Sequence, residues 1–456
     1  MKIKSKVIFM KVCILNGSPK GKYSVTLQTL LYIEKKFKDC NFTILDVGQK
    51  IKAYEKDMST AVEEIKKADI IVFSYPVYTF IATSQLHRFI ELLKKEKLDL
   101  SSKFATQVTT SKHFYDVTAH KYVMENAMDL GFKYINGLSA DMDDLTKEQG
   151  RKDALDFWKF VMYSVENNIY EESRMLPERE ISYKSNEKIQ EANHSKDKTT
   201  IVLTDCHEKD SQLKAMISDF RKIHKYETKV INLRDFPFSG GCLGCFKCAA
   251  TGKCVYKDGF DDFLRNEIQT ADSIVYAFRI KDHSMGSLFK MYDDRQFCNG
   301  HRTVTEGMPI GYLICGDYER EQNLKTIIEA RADVGHNYFA GVGCDFSGIE
   351  NMSKKMCYSL ENSYVLPRSF YGVGGMKIFR DLIYVMRGLM KADHKFYKKH
   401  GVYDFPQKQR GRMLFIMLIG GLASNPKMQK KMGNKMNEGM LMPYKKVLEK
   451  ADTDGL

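Results

Sequence analysis

One pattern constrains the fold of this chain more than any other: short apolar runs alternating with helical periodicity, carried through most of its length and begun twice. From the N-terminus an apolar run over 7–15 precedes a helix over 26–37. The alternation continues with a run over 42–47, a helix over 59–67, a run over 70–74, a helix over 84–95, a run over 105–109, a helix over 117–130, a run over 134–140 and a helix from Arg151 past Trp158. Continuous apolar runs between helices mark strands buried on both faces, so these predict an α/β unit with a doubly wound parallel sheet. A polar stretch, Glu171 to Lys198, reads as a linker, and the alternation then restarts. It runs through strands over 200–203, 229–233, 273–278, 310–315 and 338–342, with helices over 211–223, 260–268, 287–297 and 320–334.

The expected organisation is therefore a first α/β domain over 1–170, a linker over 171–198, a second α/β domain over 199–350 and a different C-terminal region over 351–456. That last region holds 20 Lys and Arg against 8 Asp and Glu, a difference of +12, so nearly all of the net +13 sits there, with 12 of the 24 methionines. A basic, Met-rich helical tail can meet an anionic membrane surface or a partner. The favoured expectation is a helical cap whose Met and aromatic positions pack on the second sheet. No nucleic-acid reading motif accompanies the charge, so no nucleic acid is expected. The longest apolar run, 413–422, is too short to span a bilayer, and the N-terminus shows no signal-peptide cleavage pattern. A cytoplasmic protein is expected, with its eleven cysteines reduced or bound to metal.

Four of those cysteines, Cys242, Cys245, Cys248 and Cys254, form a C-x2-C-x2-C-x5-C run. Three thiolates at every third residue and a fourth after a Gly-containing turn suit an iron–sulfur centre. Zinc more often takes two separated pairs, although zinc, a redox-active disulfide set or inert thiols remain open on spacing alone. Cys298 and Cys344 are within conceivable reach of the cluster region, Cys206 lies in the first loop of the second domain, and Cys13 and Cys315 read as small core residues.

The loop after the first strand, Asn16 to Thr26, faces the carboxyl edge of the sheet, where ligands of such folds bind. Gly17 and Gly21 permit tight turns, while Ser18, Ser24 and Thr26 offer hydroxyls at a helix N-terminus that suits phosphate. The P-loop ending and the G-x-G-x-x-G spacing are both absent. The third strand ends in Pro76, Val77, Tyr78 and Thr79, placing an aromatic at the same edge, and the fourth ends in Thr110, Ser111, Lys112, His113, Phe114 and Tyr115. His113 lacks a named partner, and Asp141, Asp143 and Asp144 read as a helix start.

GSPKGKYSVT and SYPVYTF resemble the loops of the flavodoxin-like NAD(P)H-dependent FMN reductases, and the cysteine run followed by Asp261 and Asp262 resembles the iron–sulfur flavoprotein branch of that family. The resemblance covers residue 10 to about 345 as two fused copies. It implies two tandem flavodoxin-like doubly wound parallel sheets plus the basic helical C-terminal region. It also implies FMN held by Ser18, Lys20, Ser24, Val25, Thr26, Pro76, Val77, Tyr78, Thr79, Thr110, Ser111 and Tyr115, and a 4Fe-4S cluster on the four cysteines. The family carries both features in one domain, whereas here they are divided. The first copy has the flavin loops. The second has the cysteines, but its first loop, Thr204 to Asp210, lacks glycine and carries three acids, and no Pro-Val-Tyr follows its third strand.

One FMN in the first copy and one cluster in the second are therefore expected. The implied function is an NAD(P)H-dependent flavin oxidoreductase passing electrons to a small-molecule acceptor or a redox protein, NAD(P)H binding transiently. The alternative is a non-catalytic electron-transfer protein docking a redox partner through the cluster domain and basic tail. Lys20 or Lys112 would stabilise negative charge on phosphate or ring. A homodimer is compatible with the sequence, and peripheral membrane contact through the tail is allowed without being favoured.

Overall fold

The computed structural model describes residues 9–172, 177, 179–186, 189–423, 441–442, 444–445 and 447–449, with backbone alone for 422 and 423. The expected start of the first strand at Val7 and part of the expected linker lie outside these residues. The first copy comprises β1 (Met10–Asn16), α1 (Val25–Lys36), β2 (Cys40–Leu45), α2 (Ile51–Tyr54), α3 (Ser59–Lys67), β3 (Ile70–Pro76), α4 (Ser84–Lys95), β4 (Phe104–Ser111), α5 (Asp116–Asp129), β5 (Lys133–Tyr134), β6 (Leu138–Asp141) and α6 (Glu148–Glu166). Its strands are parallel, in the order β2-β1-β3-β4-β5, with β6 also paired to β4. This is the flavodoxin-like strand order, which opens a ligand crevice beside β1 and β3.

The second copy repeats it with β7 (Ser195–Thr204), α7 (Ser211–Ile223), β8 (Tyr226–Asn232), α8 (Lys247–Thr251), α9 (Phe260–Asp262), β9 (Ser273–Arg279), α10 (Gly286–Arg295), β10 (Pro309–Cys315), α11 (Gln322–Gly335), β11 (Tyr338–Gly343) and α12 (Phe346–Asn362). The order β8-β7-β9-β10-β11 is the same arrangement, again parallel. The chain continues with α13 (Phe370–Val385), α14 (Lys391–Lys399) and α15 (Arg410–Ala423). It divides into two compact units, Met1–Phe396, which contains both sheets, and Tyr397–Leu456.

Three expectations change. The strand expected over 134–140 is two short strands, β5 and β6, separated at Ile135–Gly137, where a side chain at Gly137 would run into Gln107. The helix expected over 260–268 is α9 followed by a π-helical turn, Phe263–Ile268. The expected linker ends too late, because β7 already begins at Ser195. Its first residues are polar and leave no apolar trace in the sequence.

Of the region expected to cap the second sheet, Met352 and Met356 belong to α12, the last helix of the second copy; they are 1% and 0% exposed and pack with Val202, Leu213 and Leu313. Trp158 of α6, also fully buried, closes the first core against Phe42.

The two copies meet reciprocally through α4 and α10. In each, the third strand leads into a tight turn with two left-handed central residues. These are Thr79 (φ 41°) and Phe80 (φ 74°) within Tyr78–Ile81, and Asp282 (φ 52°) and His283 (φ 62°) within Lys281–Ser284. At the start of each following helix a backbone N–H donates to a carboxylate of the other copy. Ser84 N donates to Asp294 at 2.7 Å, and Ser287 N donates to Glu91 at 2.8 Å. Matching positions thus contact each other across the seam, as in an isologous dimer interface.

His283 adds a second tie, its Nε2 facing Asp129 of the first copy at 2.9 Å and its Nδ1 facing Glu321 of the second at 3.0 Å. Burial opposes a charge on this ring, but the two carboxylates outweigh it and raise its pKa to about 9. Glu125 joins His283 and Glu321 in the one set of three or more potential metal-ligand atoms, among the described residues, that all lie within 4.8 Å of one another. Because carboxylates take both ring nitrogens, the set is better described as a charged histidine bridge than as a metal site.

Candidate functional site

At the carboxyl edge of the first sheet a cavity of about 390 Å³ is bounded by both copies. Its first wall is the β1–α1 loop, which contributes Ser18, Lys20, Ser24, Val25 and Thr26. Asn16 braces this loop, its amide donating to Gly21 O at 3.0 Å and to Asp46 at 2.8 Å, while Gly21 takes φ +54°. Ser24 caps α1 by accepting from Leu27 N at 3.3 Å, and the first turn of α1 carries no acid. The Lys20 ammonium lies 5.2 Å from the centre of the Phe246 ring, and no carboxylate pairs with it among the described residues. A lone cation beside a helix N-terminus without acids is a suitable cradle for a phosphate.

Pro76, Val77, Tyr78 and Thr79 form the second wall, and Thr110 and Ser111 the third, with the Thr110 hydroxyl 2.7 Å from that of Thr26. Tyr115 is not part of the lining. Its ring packs 4.5 Å from Phe80 and its hydroxyl donates to Tyr371 O, so it supports the wall from behind while Phe114 takes the lining position. Lys112 reaches the lining, but its ammonium is held by Asp141 at 2.8 Å and Asp143 at 2.9 Å. That leaves Lys20 as the better phosphate partner. His113 sits outside, 2.7 Å from Asp116.

The fourth wall comes from the second copy. Cys242, Cys245, Cys248 and Cys254 all line the same cavity, as does buried Cys298, whereas Cys344 does not. Burial pushes the Cys242 thiol well up and that of Cys248 to about 11. Asp261 positions the last of the four, accepting from Cys254 N at 2.7 Å.

The cysteine loop is fastened to the first copy. Gln85 donates to Cys242 O at 3.2 Å, and Lys52 donates to Ser239 O at 2.8 Å. Gly244, at φ +61°, lies so close to Tyr78 that any Cβ there would fall on the phenol oxygen.

A buried charge network behind the wall was not expected from sequence. Lys290, wholly buried, donates to Tyr78 O at 2.8 Å and to Thr79 Oγ1 at 2.6 Å, and also pairs with Asp294. The Thr79 hydroxyl donates to Asp294 at 2.8 Å. Asp293 pairs with Arg331. Arg295, 1% exposed, grips Asp258 with two nitrogens at 2.8 and 2.9 Å and stacks 4.4 Å from the Tyr256 ring centre. Phe297, His301 and Phe379, equally unforeseen, complete the lining away from the loops.

At the corresponding edge of the second sheet, an acid–arginine pair stands at the helix cap. Asp210 occupies the capping position that Ser24 holds in the first copy, accepting from Leu213 N at 3.1 Å, and Arg279 binds it through two 2.7 Å contacts. At the end of β10, Asp317 is bound in the same way by Arg179. Burial raises the Asp205 carboxyl to about 6.

Residues 10–140 match the model of the NADPH-dependent FMN reductase family. An "Iron-sulfur flavoprotein" of Archaeoglobus fulgidus is 25% identical over 173 residues, which is 35% of this chain and 78% of that protein. Among solved structures, general stress protein 14 of Treponema denticola in complex with FMN aligns with 34% of this chain and 98% of its own, at 13% identity and a TM-score of 0.29. An FMN-dependent NADH-azoreductase from Bacillus anthracis str. Ames Ancestor aligns with 35% and 99%, at 15% identity and a TM-score of 0.27.

Proposed function

We propose, from the premise that residues 10–140 form a flavin domain of the NADPH-dependent FMN reductase family, that this chain is an FMN-containing oxidoreductase with a 4Fe-4S cluster beside its flavin. It would take electrons from NAD(P)H and deliver them to a small-molecule acceptor or a redox protein. One observation carries the reading: the flavin-type loops of the first copy and the four cysteines of the second line a single cavity.

FMN accepts a hydride and releases electrons singly, while a cluster carries one electron at a time. The chain's own residues bind and orient. Lys20 and the N-terminus of α1 would receive the phosphate, with Ser18 and Thr26 flanking it. Pro76, Val77 and Tyr78 would hold one edge of the ring, with Thr110 and Ser111 on the adjoining wall. Phe114, Phe297 and Phe379 keep water from the remaining wall.

The cysteine spacing favours a cluster over zinc, which more often takes two separated pairs of ligands. A second flavin is disfavoured, because Asp210 and Arg279 already satisfy each other where a phosphate would bind.

The test is anaerobic purification with flavin and iron analysis, and the visible spectrum before and after NADPH. The expected result is one flavin and about four irons per chain, with bleaching on NADPH. Ser24→Ala should lower flavin and leave iron, Cys245→Ala should do the reverse, and Tyr78→Ala, which touches both loops, should lower both. Zinc in place of iron, or a spectrum unchanged by NADPH and NADH, overturns the reading.

A further inference from the structure

The unit Tyr397–Leu456 carries an element that the redox site does not explain. In α15, Met413 to Ile419 are seven consecutive apolar residues, almost two helical turns, so they cover every face of the helix. All seven are between 40% and 71% exposed, with Leu414 and Phe415 at 63% and Met417 at 71%. Water is a poor environment for such a surface. A protein groove takes one apolar stripe of a helix and leaves the opposite side polar. A helix apolar all round suits surroundings apolar on all sides, and lipid acyl chains provide them.

Length and charge define how it would sit. Fourteen residues span about 21 Å, short of the roughly 30 Å hydrocarbon core. Among the described residues no helix is long and apolar enough to cross a membrane. Lys408, Arg410 and Arg412 lead into the apolar run, all exposed and without a carboxylate partner among the described residues. From Asp404 to Glu438 the sequence holds seven Lys and Arg and no acid between them.

We propose that α15 is a membrane anchor that buries residues 413–419 among the acyl chains of one leaflet of an anionic bilayer, with Lys408, Arg410 and Arg412 at the headgroups. The anchor is independent of the cofactor assignment, since no residue of the cavity belongs to it.

The test is flotation of the full chain with phosphatidylcholine vesicles, alone or with phosphatidylglycerol. Binding is expected with the anionic vesicles only. Arg410→Gln with Arg412→Gln should weaken it by about thirtyfold, given the usual contribution of each cation at an anionic surface. Phe415→Glu with Leu418→Glu should abolish it. Because these side chains are exposed, thermal unfolding of both variants should match the parent. Three results would each overturn the proposal: no flotation with anionic vesicles, flotation unchanged by the two glutamates, or a lipid-free dimer in sedimentation velocity that those glutamates disperse.

Discussion

Replacing His283 by glutamine should change how stability depends on pH, by an amount the seam geometry fixes. The ring is 5% exposed on its side chain and lies between Asp129 and Glu321, which raise its pKa from 6.5 to about 9. At about 1.4 kcal/mol for each pH unit, the imidazolium contributes about 3 kcal/mol to folding. Because the folded pKa is raised, that contribution is fully present below about pH 6.5, declines between 6.5 and 9, and is absent above 9. Its neighbours include Lys94, which pairs with Asp129 at 2.8 Å and Asp282 at 3.0 Å, and Glu125, whose carboxyl burial raises to about 7. The His283 charge holds Glu125 down, so that carboxyl rises further in the variant, and the difference between the two proteins reads the histidine together with its carboxylate neighbours.

Urea unfolding of parent and His283→Gln at intervals from about pH 6 to about pH 10 measures that difference. The gap in unfolding free energy should shrink by about 3 kcal/mol across the series. A gap that stays constant with pH would show that His283 is neutral in the native state and that the seam owes nothing to its charge.

Two further perturbations address the cavity wall. Lys290→Met leaves Asp294 buried without its cation and should cost about 3–5 kcal/mol, while Lys290→Met with Asp294→Leu should recover much of that; urea unfolding reads the stability and flavin titration the wall. Burial already raises the Asp294 carboxyl, as expected of a pair that is costly to break without being strongly stabilising in itself. Gly244→Ala places a methyl on the Tyr78 hydroxyl at a left-handed backbone position, so flavin and iron content should fall together; normal content of both would separate the two loops.

Much of the architecture was legible because local and tertiary signals agree in this chain. The bounds expected for α3, α4 and α7 coincide with those found: α4 starts after Thr83 and α7 after Asp210, each capping its helix with a side-chain oxygen, and both bury a regular apolar face. The phosphate-type loop, the Pro76–Thr79 edge and the cysteine run were each visible as local strings. What local strings cannot carry is which helix face meets which. Lys290 and Asp294 matter because α10 of one copy lies on α4 of the other, and no periodicity within α10 says so. Tyr115 shows the same limit in reverse: it was expected in the lining with Thr110 and Ser111, but its ring packs on Phe80 and Phe114 lines the cavity instead.

The reciprocal contact between α4 and α10 has a consequence for how such a chain can vary. In a symmetric dimer any substitution is made twice, so a change that spoils one binding edge spoils both. Joining the halves in one polypeptide removes that constraint: Asp210 paired with Arg279 caps the helix in one copy, while neutral Ser24 caps it beside the open edge of the other. It also holds the partners of the open edge at a fixed ratio of one to one. Dilution, which separates the subunits of an ordinary dimer, cannot part them.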